Sequence, residues 1–249
     1  MLLTCISPTS DIIGDPQDAD RISNNDSQLL YGETFQVEEE HGAYVYGYSV
    51  IDGYKGYVDR EDLVKNAKAS NAVITTRCAH LYPEPDFKSR PDTSVSFLSR
   101  VALNGEKKNN FYQTESNEWV YKDAVSKTDQ YKPDEDLADI ALKFLDTPYR
   151  YGGRSIFGID CSGLLQIALM AKGHTDVPRD SKKQQGAFGK EVTKNDLQRN
   201  DIVFFKGHVG IMMDEKNILN ATARHMTTLI EPLANLEKAY KEITHIARV

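Results

Sequence analysis

Phe157 to Leu169 reads FGIDCSGLLQIAL, and the order of residue types in it decides the fold of the second half of the chain. A glycine-bearing turn ends at Asp160 and Cys161 follows it. Leu164, Leu165, Ile167, Ala168, Leu169 and Met170 then surround a helix on nearly every side. A helix that is apolar all round is a buried one. Asp160 is its predicted N-cap, Ser162 and Gly163 keep the first turn small, and Gly152, Gly153 and Gly158 let backbone approach backbone closely. Cys161 therefore lies at a helix start, where unpaired N–H groups and a partial positive charge favour thiolate over thiol and can hold an oxyanion. A free cysteine is more often a buried structural residue, so a suitably placed base has to decide between the two readings.

His208 is that base. It stands between Gly207 and Val209 in the otherwise apolar run IVFFKGHVGIMM, where a polar ring is costly unless it has a partner. An imidazole facing a thiol can hold the thiolate and later protonate a leaving amine. A third group should fix the ring tautomer; Asn220, in the next strand, is the candidate, since an amide oxygen can accept the ring N–H. His225 reads as an exposed loop residue, and His41, His80, His174 and His245 have no comparable setting.

The sequence around this core changes character once. Up to about residue 125 it consists of short alternating runs such as QLLYGETFQVEEE, GAYVYGYSV, NAVITTRCAHLYPEP and NFYQTESNEWVY, broken by Gly, Asn and Asp, the pattern of strands joined by hairpins. The pattern runs twice, each copy closing on a strand, an Asp-containing turn and a Leu or Val (GYVDREDLV; EWVYKDAV), which predicts two small barrels. After SKTDQYKPDED, Leu137, Ile140, Ala141, Phe144 and Leu145 recur at helical spacing behind Asp134, Glu135 and Asp136, the first helix of a different domain. Helices followed by the strands DIVFFKG, HVGIMMDE, NILNATA and THIARV make that domain α+β. The expected organisation is a barrel over 1–66, a second over 67–128 and the α+β domain over 129–249.

Composition narrows the function. The chain has 249 residues, 40% of them hydrophobic, and a formal net charge of −7, so it can fill packed cores but offers no basic stripe for nucleic acid. Cys5, Cys78 and Cys161 form no CxxC pair and suit a reducing compartment. The start, MLLTCISPTSDII, lacks the positive n-region and apolar core of a secretory signal, and no run approaches the ~18 apolar residues of a spanning helix. These features set the expectation of a cytoplasmic protein without a membrane span.

From about residue 134 the chain resembles the NlpC family of papain-like cell-wall cysteine peptidases, through TPYRYGG, GIDCSGLLQ, PRDSKKQQ and NDIVFFKGHVGI. The resemblance implies that Cys161 is the nucleophile, His208 the base, Asn220 the orienting residue and Tyr149 an aid to the oxyanion site, with no metal or cofactor. It implies that Asp160, Ser162, Arg179, Asp180 and Ser181 bind substrate, the Asp180 carboxylate pairing with a free ammonium. The family more often has histidine at the place of Asn220, and a Gly-Asp turn where this chain has Asn200-Asp201. Asparagine tolerates the left-handed conformation such a turn needs.

The first half resembles the bacterial SH3-like barrels that accompany these peptidases. In relatives with two barrels the first closes one end of the groove, so that only peptides with a free N-terminal L-alanine fit; Glu33 with Tyr54 or Tyr57 would complete the pocket here. The implied substrate is a peptidoglycan-derived peptide beginning L-Ala-γ-D-Glu, cut before its diamino acid in murein peptide recycling. The competing expectations are an exported wall-remodelling hydrolase and a catalytically weak wall-peptide-binding protein, the latter favoured only by Asn220.

Overall fold

The computed structural model describes residues 1–18 and 26–249. They form two units, Met1–Tyr131 and Lys132–Val249. Residues 19–25, within the span expected for the first barrel, lie outside the described residues.

The first unit is built from strands with two separate cores. Strands β1 (Leu2–Cys5), β2 (Thr9–Ile12), β3 (Ser27–Leu30), β4 (Thr34–His41), β5 (Tyr44–Ser49), β6 (Lys55–Asp59) and β7 (Leu63–Lys65) make one barrel, with a sheet ordered β6-β5-β4-β1-β7 and the hairpin β2-β3. Alternation decides which side chains enter it. In β5, Val45 faces inward while Tyr44, Tyr46 and Tyr48 stay half-exposed, and Val45 joins Leu3, Ile12, Leu29, Phe35, Val37, Val58 and Leu63 in one cluster.

The second barrel comprises β8 (Ala72–Ile74), β9 (Cys78–Tyr82), β10 (Thr93–Ser96), β11 (Arg100–Val101), β12 (Leu103–Lys108), β13 (Phe111–Thr114), β14 (Trp119–Tyr121) and β15 (Val125–Lys127). Its core holds Ile74, Leu81, Val95, Val101, Val120 and Val125. The repeated sequence ending has a structural counterpart. In each barrel a strand runs into a single 3-10 turn, Arg60–Asp62 or Lys122–Ala124, and leaves it as a short closing strand.

The second unit starts with α1 (Leu137–Leu142), capped by Asp136, whose carboxylate accepts the N–H of Asp139 at 2.8 Å. The helical spacing predicted α1 through Leu145. The chain instead tightens into i→i+3 turns from Lys143 to Leu145 and stops at Asp146, which has φ +62°. The two-residue strands β16 (Arg154–Ser155) and β17 (Gly158–Ile159) form a hairpin leading into α2 (Cys161–Ala171). Next come α3 (Ser181–Gln184), β18 (Lys190–Glu191), β19 (Ile202–Phe205), β20 (His208–Met212), β21 (Asn217–Thr222), β22 (Thr227–Pro232), α4 (Leu233–Tyr240) and β23 (Ile243–Arg248).

The six strands β18 to β23 form one antiparallel sheet in the order β18-β23-β19-β20-β21-β22. Helix α2 is buried along nearly its whole length, between α1 and the strands β20 and β21. Asn200 does adopt the left-handed conformation, φ +76°, and its side chain accepts the N–H of Ala138 while donating to Asp136. The turn before β19 thereby also fixes the start of α1. Helix α4 was not foreseen in the sequence. It inserts Leu233 and Leu236 into the cluster of Leu197, Val203, Phe205, Met212, Ile218 and Ile246. Among the described residues no helix is long and apolar enough to cross a membrane.

Candidate active site

The start of α2 is held by a buried ionic knot. The Asp160 carboxylate accepts the N–H of Gly163 at 2.7 Å and of Gly152 at 2.8 Å. Arg179 grips the same carboxylate bidentately, at 3.0 and 2.7 Å, and also donates to Ser162 Oγ at 2.8 Å and to the Gly153 carbonyl at 3.2 Å. Ser162 Oγ donates to Asp160 in turn. Asp160, Ser162 and Arg179 are thus brought together, the Asp160 carboxylate accepting from both of the others and Arg179 donating to both. A charge pair in this setting is tolerated because every polar atom finds a partner.

Close packing explains one glycine here. A Cβ on Gly163 would lie 2.3 Å from the Gly153 carbonyl oxygen, a backbone atom that cannot swing away. Gly163→Ala should therefore destabilise the protein by about 1–3 kcal/mol through overpacking, read as a lowered midpoint in urea. An unchanged midpoint would show that α2 is not clamped there.

Cys161 is the first residue of α2 and is 9% exposed. The backbone N–H groups of Val209 and Ser162 lie near enough to its sulfur to favour the thiolate. Val209 follows His208, so the mouth of α2 and the start of β20 face each other. His208 is set by the turn between β19 and β20, in which Phe205 pairs with His208 and Gly207 takes φ +75°. Its Nε2 lies 3.0 Å from Asn220 Oδ1 on the neighbouring β21, and both side chains are buried. Tyr149 lies within electrostatic reach of Cys161 and Asp160; burial, with these charges adding, raises its phenol well above the usual range, so it remains an O–H donor.

Burial works against one expectation, that of a resting thiolate. It pushes the Cys161 thiol up to about 12, Asp160 adding to the effect, while the N–H groups of Val209 and Ser162 and the Arg179 charge pull only partly back. It lowers His208 to about 4, against the opposing pull of its bond to Asn220. Both shifts favour a neutral thiol and a neutral imidazole at rest. The partial charge of the helix start is present, but desolvation of the sulfur is the larger effect.

Three residues beyond those read from the sequence complete the surroundings of His208. Asn220 Nδ2 donates to Glu231 Oε1 at 3.1 Å, and Arg224 bonds to the same carboxylate oxygen. Tyr240, the last residue of α4, stacks on the His208 ring with centroids 4.4 Å apart and planes 9° from parallel. The Arg224 guanidinium lies over the outer part of this group, 5.8 Å from the Tyr240 ring centre. A carboxylate in the short run TTLIEP, on the strand after Asn220, was the available signal. Its use depended on the β21–β22 register, in which Glu231 is diagonal to Asn220.

The comparisons with known proteins cover the same part of the chain. The NlpC/P60 family model matches residues 146–247, the span that holds all the contacts just described. A model for the bacterial dipeptidyl-peptidase SH3 domain matches residues 18–63. The gamma-D-glutamyl-L-lysine dipeptidyl-peptidase of Bacillus subtilis is 30% identical over 248 residues, covering 89% of this chain and 80% of that protein. The chain belongs to the NlpC/P60 family. Dipeptidyl-peptidase 6 of Lysinibacillus sphaericus is 27% identical over 216 residues, covering 78% of this chain and 79% of that one. A crystal structure of an NlpC/P60 family protein from Bacillus cereus superposes with a TM-score of 0.84 over 100% of this chain and 99% of the other, at 23% identity, a likeness of fold. This NlpC/P60 protein is a cysteine peptidase that carries SH3-like barrels ahead of its peptidase domain.

The other residues singled out in the sequence lie as follows. Asp180 precedes α3 without capping it through its side chain; it is partly exposed, 3.3 Å from Lys183 Nζ, and Ser181 is the first residue of α3. Glu33, Tyr54 and Tyr57 belong to the first unit. Glu33 is buried and accepts the Leu30 N–H at 3.0 Å. Tyr54 packs on the first barrel's core, and Tyr57 sits in an aromatic group with His41 and Tyr46.

Proposed function

We propose that the protein hydrolyses the bond between the γ-carboxyl of D-glutamate and a diamino acid in peptidoglycan-derived peptides that begin with a free L-alanine, in the recycling of murein peptides. The observation that carries the reading is the buried His208–Asn220 hydrogen bond at 3.0 Å, on strands packed against the helix that Cys161 begins. The names of the relatives, gamma-D-glutamyl-L-lysine dipeptidyl-peptidase in particular, supply the bond.

In this mechanism the Cys161 sulfur attacks the γ-carbonyl and its proton passes to His208 Nδ1, the nitrogen not engaged by Asn220. The amides at the start of α2 and the protonated Tyr149 hydroxyl hold the oxyanion of the tetrahedral intermediate. The C–N bond then breaks and His208 returns its proton to the leaving amine. Water, deprotonated by His208, hydrolyses the thioester and restores the thiol. The half-exposed Asp180 carboxylate, beside the anchored Arg179, suits the peptide's ammonium group.

The test is mass spectrometry of the purified protein incubated with L-Ala-γ-D-Glu-L-Lys and with its diaminopimelate counterpart, each also N-acetylated, with Cys161→Ala as control. Release of L-Ala-D-Glu is expected from the free peptides only, with the acetylated ones cut at least ~100-fold more slowly, since an unpaired buried or partly buried charge partner carries about 3 kcal/mol. No cleavage, or equal cleavage by Cys161→Ala, rejects the function. Equal cleavage of acetylated peptides rejects the free-amine requirement alone.

A further inference from the structure

We infer that Glu231 is a positioning residue that selects the tautomer of His208 through the side-chain amide of Asn220, with Arg224 and Tyr240 holding the arrangement in place. The inference rests on the proposed roles of Cys161 and His208, but its principal readout does not depend on hydrolysis.

An amide side chain is nearly symmetric in shape and strongly asymmetric in chemistry: one end only donates and the other only accepts. Sterics alone leave the orientation of Asn220 undecided. Its neighbours on the two sides are His208 Nε2 at 3.0 Å and Glu231 Oε1 at 3.1 Å. An ionised carboxylate only accepts. The NH2 end of Asn220 must therefore face Glu231, and its oxygen must face the ring. An oxygen that only accepts requires the hydrogen on Nε2, which leaves the Nδ1 lone pair free for a thiol proton. With the amide reversed, its oxygen would abut a carboxylate oxygen and its NH2 would call for a bare Nε2, placing the ring hydrogen on Nδ1. That tautomer cannot accept from Cys161.

The remaining contacts make this selection rigid. Arg224 bonds to the same oxygen of Glu231 that receives the amide, so the carboxylate is ion-paired and kept in place. The Arg224 guanidinium and the Tyr240 ring are 5.8 Å apart, a cation–π distance. Tyr240 lies flat against His208, and its hydroxyl is 3.4 Å from Thr222 Oγ1 on β21. The contacts close into a loop, from His208 through Asn220, Glu231, Arg224 and Tyr240 back to His208. A stacked ring cannot turn about its Cβ–Cγ bond without losing that face, so the choice of tautomer also fixes the direction in which the bare nitrogen points.

The decisive variant is Glu231→Gln combined with Arg224→Met in the full-length protein: the new amide is nearly identical in shape to the carboxylate but can donate as well as accept, and Arg224, which only donates to this oxygen and would hold the amide's oxygen in its place, is removed with it. Expected is a loss of the single Nε2–H tautomer of His208, seen as a mixture in long-range 15N–1H spectra, with kcat lowered about tenfold and KM changed less than about twofold. Adding Asn220→Asp restores one-way polarity, since a carboxylate in the middle accepts from both the ring and the new amide; the Nε2–H tautomer should return. The double variant with an unchanged tautomer overturns the inference, whatever its activity. So does a triple variant in which the mixture persists, and that measurement decides if the double variant fails to fold. A wild-type protein without hydrolytic activity would sink the proposed function and leave the tautomer result standing.

Discussion

Arg179→Met is expected to lower the stability of the protein by about 3 kcal/mol, the lower end of the cost of breaking a buried ion pair by removing one partner. The Arg179 and Asp160 side chains are only 3% and 8% exposed. Removal of the guanidinium leaves the carboxylate buried with the N–H groups of Gly163 and Gly152 and the Ser162 hydroxyl as its remaining donors. Those three bonds keep the loss from being larger. The Gly153 carbonyl and Ser162 Oγ also lose a donor. Thermal unfolding should begin ~10 °C earlier, and hydrogen exchange should quicken first in the opening turn of α2, which the pair anchors. Adding Asp160→Asn removes the uncompensated charge, so the double variant should be more stable than Arg179→Met alone. If Arg179→Met unfolds within ~0.5 kcal/mol of wild type, as a surface change would, the knot does not hold the helix.

What could be read without coordinates divides along a physical line. Cys161, Asp160 and the buried α2 follow from local order in FGIDCSGLLQIAL, because capping and an apolar run at every helix face are properties of neighbouring residues. The same holds for Asn200, whose left-handed conformation depends on its own short side chain. The pairing of His208 with Asn220 needed only that a tight hairpin be followed by one further strand. Glu231, Arg224 and Tyr240 escaped notice because their roles depend on sheet register and on α4, which returns the chain over β20 and β21. Helix α4 itself offers two buried leucines after a proline, too weak a local pattern to stand out. Protonation is further still from the sequence: a helix start argues for thiolate, while the depth of burial that argues against it is set by the whole fold.

Alkylation of Cys161 by iodoacetamide in the absence of substrate should rise about tenfold for each pH unit and show no plateau below about pH 11, because only the thiolate reacts. A thiol raised to about 12 is, at pH 7, ionised to about one part in 10⁵, against a few per cent for an ordinary cysteine with a pKa of ~8.5. Labelling at neutral pH should therefore be roughly a thousandfold slower than that of a free thiol. Burial also raises Cys5 and Cys78, so the rates must be read by mass spectrometry of the peptide that contains Cys161. Hydrolysis should behave differently. With His208 lowered to about 4, its imidazole remains unprotonated from about pH 5 upward, and kcat/KM should be flat across the neutral range while labelling climbs steeply. The contrast arises because the proton leaves sulfur only as the carbonyl is attacked, when His208 receives it and the new oxyanion is held by its donors. A labelling plateau already reached by pH 7 would mean that the pair rests as thiolate and imidazolium, and that the helix start outweighs desolvation.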